Sequence, residues 1–297
     1  MQLSSLGYLG IGSGKLAEWR AFLDVLGLAP SSGPITAPPD LGGQTAWFAM
    51  DDRAWRIAVH QSEVEGIAYA GWEMASRDAF ERGLDHLGRS GVKVLEGTDA
   101  LRATRGVADV AQFADPFGNT HEIYWGPMVD ETPLVLPHAA TGFVTGDVGL
   151  GHVLYVVPSV DEALAFYERV MGLRLTDRFA WGPNGAAFMH TNRRHHSLAF
   201  IDLPLPGGPG LNHFMVEART LTDVGRAYDR AMDYIKAEHP ELLSQPHVRQ
   251  RLAEMKVDLH VQRALRMVNA ALVERGDTPT MEASMAKVWS SELRYRM

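Results

Sequence analysis

The 297-residue chain contains no cysteine. Disulfide staples, thiolate metal sites and cysteine nucleophiles are therefore excluded, and any bound metal must be held by histidine and carboxylate. The chain also lacks an excess of positive charge: 28 Lys and Arg against 36 Asp and Glu give a formal net charge of −8, spread without long runs. Such a balance argues against a nucleic-acid or anionic-membrane surface and in favour of small-molecule partners. A long apolar run is missing too. No stretch approaches the roughly 18 apolar residues of a membrane span. The N-terminus, MQLSSLGYLGIGSGKLAEW, has neither a basic start nor an uninterrupted apolar core, so the expected location is the cytoplasm.

With 46% hydrophobic and 22% charged residues, the chain has the composition of a globular protein and the length for about two domains. Its pattern is repetitive. From Gly7, alternating apolar residues Tyr8 to Ile11 predict a strand, and Leu16, Trp19, Phe22, Leu23 and Leu26 recur at helical spacing before Gly27. TAWFAMDD and WRIAVHQ read as two short strands around an Asp-Asp turn, completing a β-α-β-β type unit. A second unit runs from AYAGWEMA through the helix of FERGLDHLGRSG to strands in VKVLEG, VADVAQFADP and NTHEIYWGP. The turn 115–119, DPFGN, has strong hairpin chemistry.

Residues 127–146, with Pro133 and Pro137, read as an extended linker. Residues 149–175, GLGHVLYVVPSVDEALAFYERVMGLRL, then repeat the strand, turn, helix and glycine exit of the first unit at nearly the same spacing, which predicts internal duplication. AAFMH and HHSLAFIDL close this third unit, and after a turn at 204–209, LNHFMVEARTLTDVGRAYDRAMD opens a fourth. Beyond residue 233 no period-two pattern remains. Leu252, Met255 and Leu259, then Val261, Leu265, Val268 and Leu272, recur at helical spacing, and MEASMAKVWSSELRYR predicts a last helix.

Three histidines fall at notable places: His152 second in the third unit's opening strand, His213 in the fourth unit's opening strand, and His196 at the start of the third unit's last strand. If the units curl into one open barrel, these imidazoles can share a cavity, and two of them with a carboxylate suit a non-haem ferrous site. The alternative stays open at this level, since a strand histidine is more often a satisfied polar residue and His195-His196 after Arg193-Arg194 can be a solvated patch.

The motifs GDVGLGHVLYVVPSVDEALAFYERVMGLRLTD, NGAAFMHTNRRHHSLAF and NHFMVEARTLTDVGRAYDR, together with LGYLGI, AGWE and ADPFGNTHEIYWGP, resemble the type I extradiol ring-cleaving dioxygenases of the vicinal oxygen chelate (glyoxalase/bleomycin resistance) superfamily, over about residues 1–233. The resemblance implies an α+β fold of tandem βαβββ units forming two vicinal oxygen chelate domains, the second truncated and followed by a C-terminal helical segment. It implies an N-terminal non-catalytic domain at 1–128, a linker at 129–147, a truncated metal-binding domain at 148–233 and a helical tail at 234–297. The implied activity is Fe(II)-dependent extradiol cleavage of a catechol such as 2,3-dihydroxybiphenyl, or a related polycyclic or steroid-derived catechol, with O2.

By the same resemblance His152 and His213 are iron ligands, His196 is the acid-base catalyst, and Leu154 and Phe188 line the substrate cavity. In the first half Tyr8 and Trp72 roughly take the imidazole positions, and Glu122 stands where a carboxylate ligand would, in a vestigial or structural role. The family's third ligand, a late-strand Glu, has no match after residue 233. That departure keeps an alternative in play, an inactive binding or scaffold protein of the same fold. Residues 237–297 resemble part of the C-terminal helical domain of acyl-CoA dehydrogenases, too little to supply a flavin site. A small aromatic diol and O2 are the expected partners, and an open sheet edge with apolar helices favours self-association into a homo-oligomer.

Overall fold

The computed structural model describes residues 1–34, 44–203 and 210–286; the turn expected at 204–209 and the end of the last helix, 287–297, lie outside the described residues. By packing, the chain divides into Met1–Thr220 and Leu221–Met297.

The first of these is built from βαβββ repeats. Strand β1 (Ser5–Ser13), helix α1 (Leu16–Leu26) and strands β2 (Ala29–Ser31), β3 (Thr45–Ala49) and β4 (Ile57–Gln61) form one repeat. The next comprises β5 (Gly66–Glu73), α2 (Arg77–Arg89), β6 (Leu95–Glu96), a short helix α3 (Asp99–Arg105), β7 (Val107–Ala114) and β8 (Thr120–Pro127). A third holds β9 (Gly151–Val156), α4 (Val160–Arg169), β10 (Arg174–Trp181), β11 (Asn184–His190) and β12 (Leu198–Ile201), and β13 (Gly210–Val216) follows it.

Local sequence explains the helices. Leu16 and Leu23 bury one face of α1, and Gly27 ends it at φ 90°, a left-handed conformation that glycine adopts without penalty. Ser76, Thr98 and Ser159 each accept the backbone N–H three residues on, from Ala79, Leu101 and Glu162, and so cap α2, α3 and α4. Each cap contributes about 1 kcal/mol.

The strands form two sheets, eight-stranded in the order β2-β3-β4-β1-β5-β8-β7-β6 and five-stranded in the order β10-β11-β12-β9-β13. Within each repeat the first and last strands run parallel: β1 with β4, β5 with β8, and β9 with β12. Consecutive repeats meet through antiparallel first strands, β1 with β5 and β9 with β13. The five-stranded sheet is therefore one repeat plus the opening strand of another. Among the described residues β13 ends the sheet, where β5 has β8 beside it.

One hydrophobic core runs through both halves, from Leu6, Leu9 and Phe48 to Tyr155, Tyr167 and Phe200. A buried polar chain ties them together. Trp72 Nε1 donates to His121 Nδ1 at 3.1 Å, which leaves the His121 proton on Nε2, 3.1 Å from the Tyr167 hydroxyl. Tyr167 in turn donates to Asp115 Oδ2 at 2.6 Å.

Two expectations need correction. His196 does not start the last strand of its repeat: β12 begins at Leu198, and His196 sits in the turn before it. Residues 127–146 are also less extended than a free linker, since Asp130 N–H bonds the Asp52 carbonyl and Phe143 bridges Ala218.

The second part contains α5 (Leu221–Glu238), a 3-10 turn at Pro240–Ser244 and α6 (Pro246–Glu274). Tyr228 donates to the Leu252 carbonyl at 2.8 Å and Lys256 pairs with Asp229, which fixes these two helices against each other. Val257, Met267, Val268 and Val273 remain exposed on α6.

Candidate active site

β9 and β13 are hydrogen-bonded neighbours, with His213 opposite Leu154 and Met215 opposite His152. This register brings His152 Nε2 and His213 Nε2 to 3.2 Å of each other. The His196 ring lies 4.1 Å from that of His152, centroid to centroid, and the Phe188 ring meets His196 edge-on at 5.0 Å. The five residues singled out by sequence thus gather in one place. His152 and His196 are buried; His213, on the edge strand, is exposed.

Burial, reinforced by His196 and His213, pushes the His152 imidazole down to about 2, and burial with His195 beside it lowers His196 to about 4. Both are neutral at physiological pH, the state in which imidazole offers a lone pair to a cation. Asn212 Oδ1 lies 2.8 Å from His213 Nδ1 and accepts a hydrogen bond from its N–H, so His213 Nε2 is a bare acceptor for His152 Nε2–H. His152 Nδ1 is left buried without a partner.

The first half shows other side chains at the positions of these three histidines. Aligning β1 with β9 places Tyr8 at His152, and the strand registers then place Trp55 at His196 and Tyr69 at His213. Trp72 is not the counterpart of an imidazole: three residues beyond Tyr69, it points to the opposite face of the sheet and is fully buried against His121. Tyr8 and Trp55 rings pack at 4.6 Å, and Tyr8 meets Tyr69 edge-on at 6.0 Å. Glycines clear the space: a Cβ at Gly10 would lie 2.2 Å from the Tyr69 ring and one at Gly71 would lie 2.1 Å from the Tyr8 ring. Their counterparts in the second half are Leu154 and Met215.

Glu122 on β8 is fully spoken for. It pairs with Arg105 at 2.8 Å, accepts Tyr8 Oη–H at 2.5 Å and accepts Gln112 Nε2–H at 2.7 Å, all at 0% exposure of the carboxylate side chain. Burial and the Glu122 charge push Tyr8 far above its ordinary range, keeping its proton in place as a donor.

A metal can be tested against these donors. Two nitrogens each about 2.1 Å from one ion, at about 90–110° to each other, lie about 3.0–3.4 Å apart. The 3.2 Å between His152 and His213 fits that spacing, so the pair suits two adjacent positions on a divalent cation. Among the described residues no group of three or more His, Asp or Glu side chains is placed to hold a metal ion, so no carboxylate completes the pair there.

Fold and site together define a class. Residues 149–234 match the Glyoxalase/Bleomycin resistance protein/Dioxygenase superfamily and residues 6–61 the first domain of dihydroxybiphenyl dioxygenase. The chain is 43% identical to a biphenyl-2,3-diol 1,2-dioxygenase of Paraburkholderia xenovorans over 237 residues, 77% of this chain and 76% of that protein. It is 33% identical to an iron-dependent extradiol dioxygenase of Rhodococcus jostii, covering 78% of each. The crystal structure of a halotolerant catechol dioxygenase superimposes with a TM-score of 0.71 at 34% identity, over 78% of this chain and 75% of that one. The chain belongs to the extradiol dioxygenases of this superfamily, a family of oxidoreductases. Residues 211–297 give a partial match to the C-terminal domain of acyl-CoA dehydrogenases, overlapping the superfamily match at 211–234. No described helix is long and apolar enough to cross a membrane.

Proposed function

We propose that the chain is an Fe(II)-dependent extradiol dioxygenase that opens the ring of a catechol such as biphenyl-2,3-diol, with O2 as co-substrate. The observation that carries this reading is the convergence of His152, His213 and His196 in an interior that the first half fills with Tyr and Trp. His152 and His213 would hold the iron, which when bound supplies neighbouring positions for diol and O2 and a route for electrons between them. His196, neutral and beside His152, accepts the proton that a diol hydroxyl gives up and returns it as the product forms. Leu154 and Phe188 offer apolar surface next to the histidines for the aromatic body of the substrate.

The test is turnover. The chain, reconstituted anaerobically with Fe(II) and given biphenyl-2,3-diol and O2, should form the yellow ring-fission product. Folded, iron-loaded protein that forms none contradicts the reading. One observation favours a second reading, a binding protein that keeps the fold without turnover: among the described residues neither a third ligand nor a strand beyond β13 is present. It predicts calorimetric binding of the diol with no product.

A further inference from the structure

The proton acceptor assigned to His196 requires a particular tautomer. An imidazole hydrogen-bonded through both nitrogens has its proton placed by its partners. His196 Nδ1 lies 3.0 Å from His195 Nδ1, and His195 Nε2 lies 3.0 Å from Asp177 Oδ2. A carboxylate can only accept, so His195 carries a proton on Nε2, and in the neutral ring it turns a bare Nδ1 towards His196. His196 must then donate from Nδ1, which leaves its Nε2 as the lone-pair nitrogen in a ring 4.1 Å from that of His152.

The backbone is shaped for this contact. A bulge in β10 falls between Leu175 and Asp177, so that Asp177 rather than Thr176 lies opposite Phe188. Bulges re-aim side chains and are enriched beside active sites. The extra residue, Thr176, donates its hydroxyl to the His195 carbonyl at 2.6 Å. One irregularity in β10 thus holds His195 twice, by main chain through Thr176 and by ring through Asp177.

We infer that Asp177 and His195 form a tautomer clamp, positioning residues that fix His196 as the Nδ1–H imidazole with Nε2 bare for the substrate proton. The functional part of this inference rests on the dioxygenase reading; the tautomer does not, and the two can fail separately.

The experiment is long-range nitrogen–proton correlation NMR of the full chain, labelled with 15N-histidine, in the parent and in Asp177→Leu, His195→Phe and Asp177→Glu. The parent should show His196 protonated on Nδ1; Asp177→Leu and His195→Phe should lose that form as the dominant species, and Asp177→Glu should restore it. The Asp177 side chain is 50% exposed, so its replacement leaves the sheet intact and decides the matter if His195→Phe does not fold. In the iron-loaded enzyme the two disrupting variants should lower kcat about 10-fold to 100-fold, as outer-shell changes do, with KM unchanged. An Nε2–H tautomer at His196 in the parent, or one that neither variant moves, overturns the inference whether or not the chain turns over catechol.

Discussion

The two halves of Met1–Thr220 present the same strand positions with opposite contents. In the first, Tyr8, Trp55 and Tyr69 fill the interior, lying over Gly10 and Gly71, and a buried Glu122–Arg105 pair closes it. In the second, His152, His196 and His213 stand at the same register positions, glycine is replaced by Leu154 and Met215, and among the described residues the sheet ends at β13. Register decides where three side chains meet; their identity decides whether that meeting is a core or a site. The first half keeps a carboxylate without imidazoles at those three positions, while the described second half keeps the imidazoles without a carboxylate.

Breaking the first half's plug should have the largest effect on stability. Arg105→Ala leaves Glu122 charged and unpaired at full burial, and should lower the unfolding free energy by about 3–5 kcal/mol in urea titrations. A loss below about 1 kcal/mol would mean that the pair is not what holds this interior shut.

The tie between the halves should respond to acid. Burial alone would raise Asp115, but the His121 imidazole beside it and hydrogen bonds from Asn119 and Tyr167 outweigh it and hold the carboxyl at about 2, below its ordinary 3.8. A group depressed on folding stabilises above its unfolded value, so this contribution is full above about pH 4 and lost as pH falls towards 2. It amounts to about 2 kcal/mol. Comparing urea midpoints at pH 5 and pH 2.5 in the parent and Asp115→Asn checks it: the variant should lose that part of the pH dependence.

The smallest effect should be the same in both halves. Ser76→Ala and Ser159→Ala remove equivalent caps from α2 and α4, and each should lower stability by about 1 kcal/mol in thermal unfolding. Unequal losses would show that the repeats share a pattern but not its energetics.

Much of this was readable in sequence because the repeat is written in local chemistry. Alternation marked β1 and β9, helical spacing and glycine exits marked α1 and α4, and recurrence put His152 and His213 in adjoining strands. The missing parts share a physical reason. β2 and β10 occupy the same outer position in their repeats; β10 is exposed on nearly all its residues, so no alternation announces it. Sequence spacing points to Trp72 rather than Tyr69 as the counterpart of His213, because it does not reveal the bulges at Leu6/Tyr8 and Gly10/Ile11 through which β1 and β5 pair. Asp177 carries no sequence signal either, since the β10 bulge is what brings it to His195. The His195-His196 dipeptide was the one signal that could have pointed there.

If the dioxygenase reading holds, the second half's histidines are a metal site and the first half's aromatic counterparts are not. Anaerobic equilibrium dialysis against Fe(II) tests it most directly. The expected result is one iron per parent chain and its loss in His152→Ala, a drop larger than about 100-fold, with Tyr8→Phe binding as the parent does. Iron retained by His152→Ala, or absent from the folded parent, would contradict it.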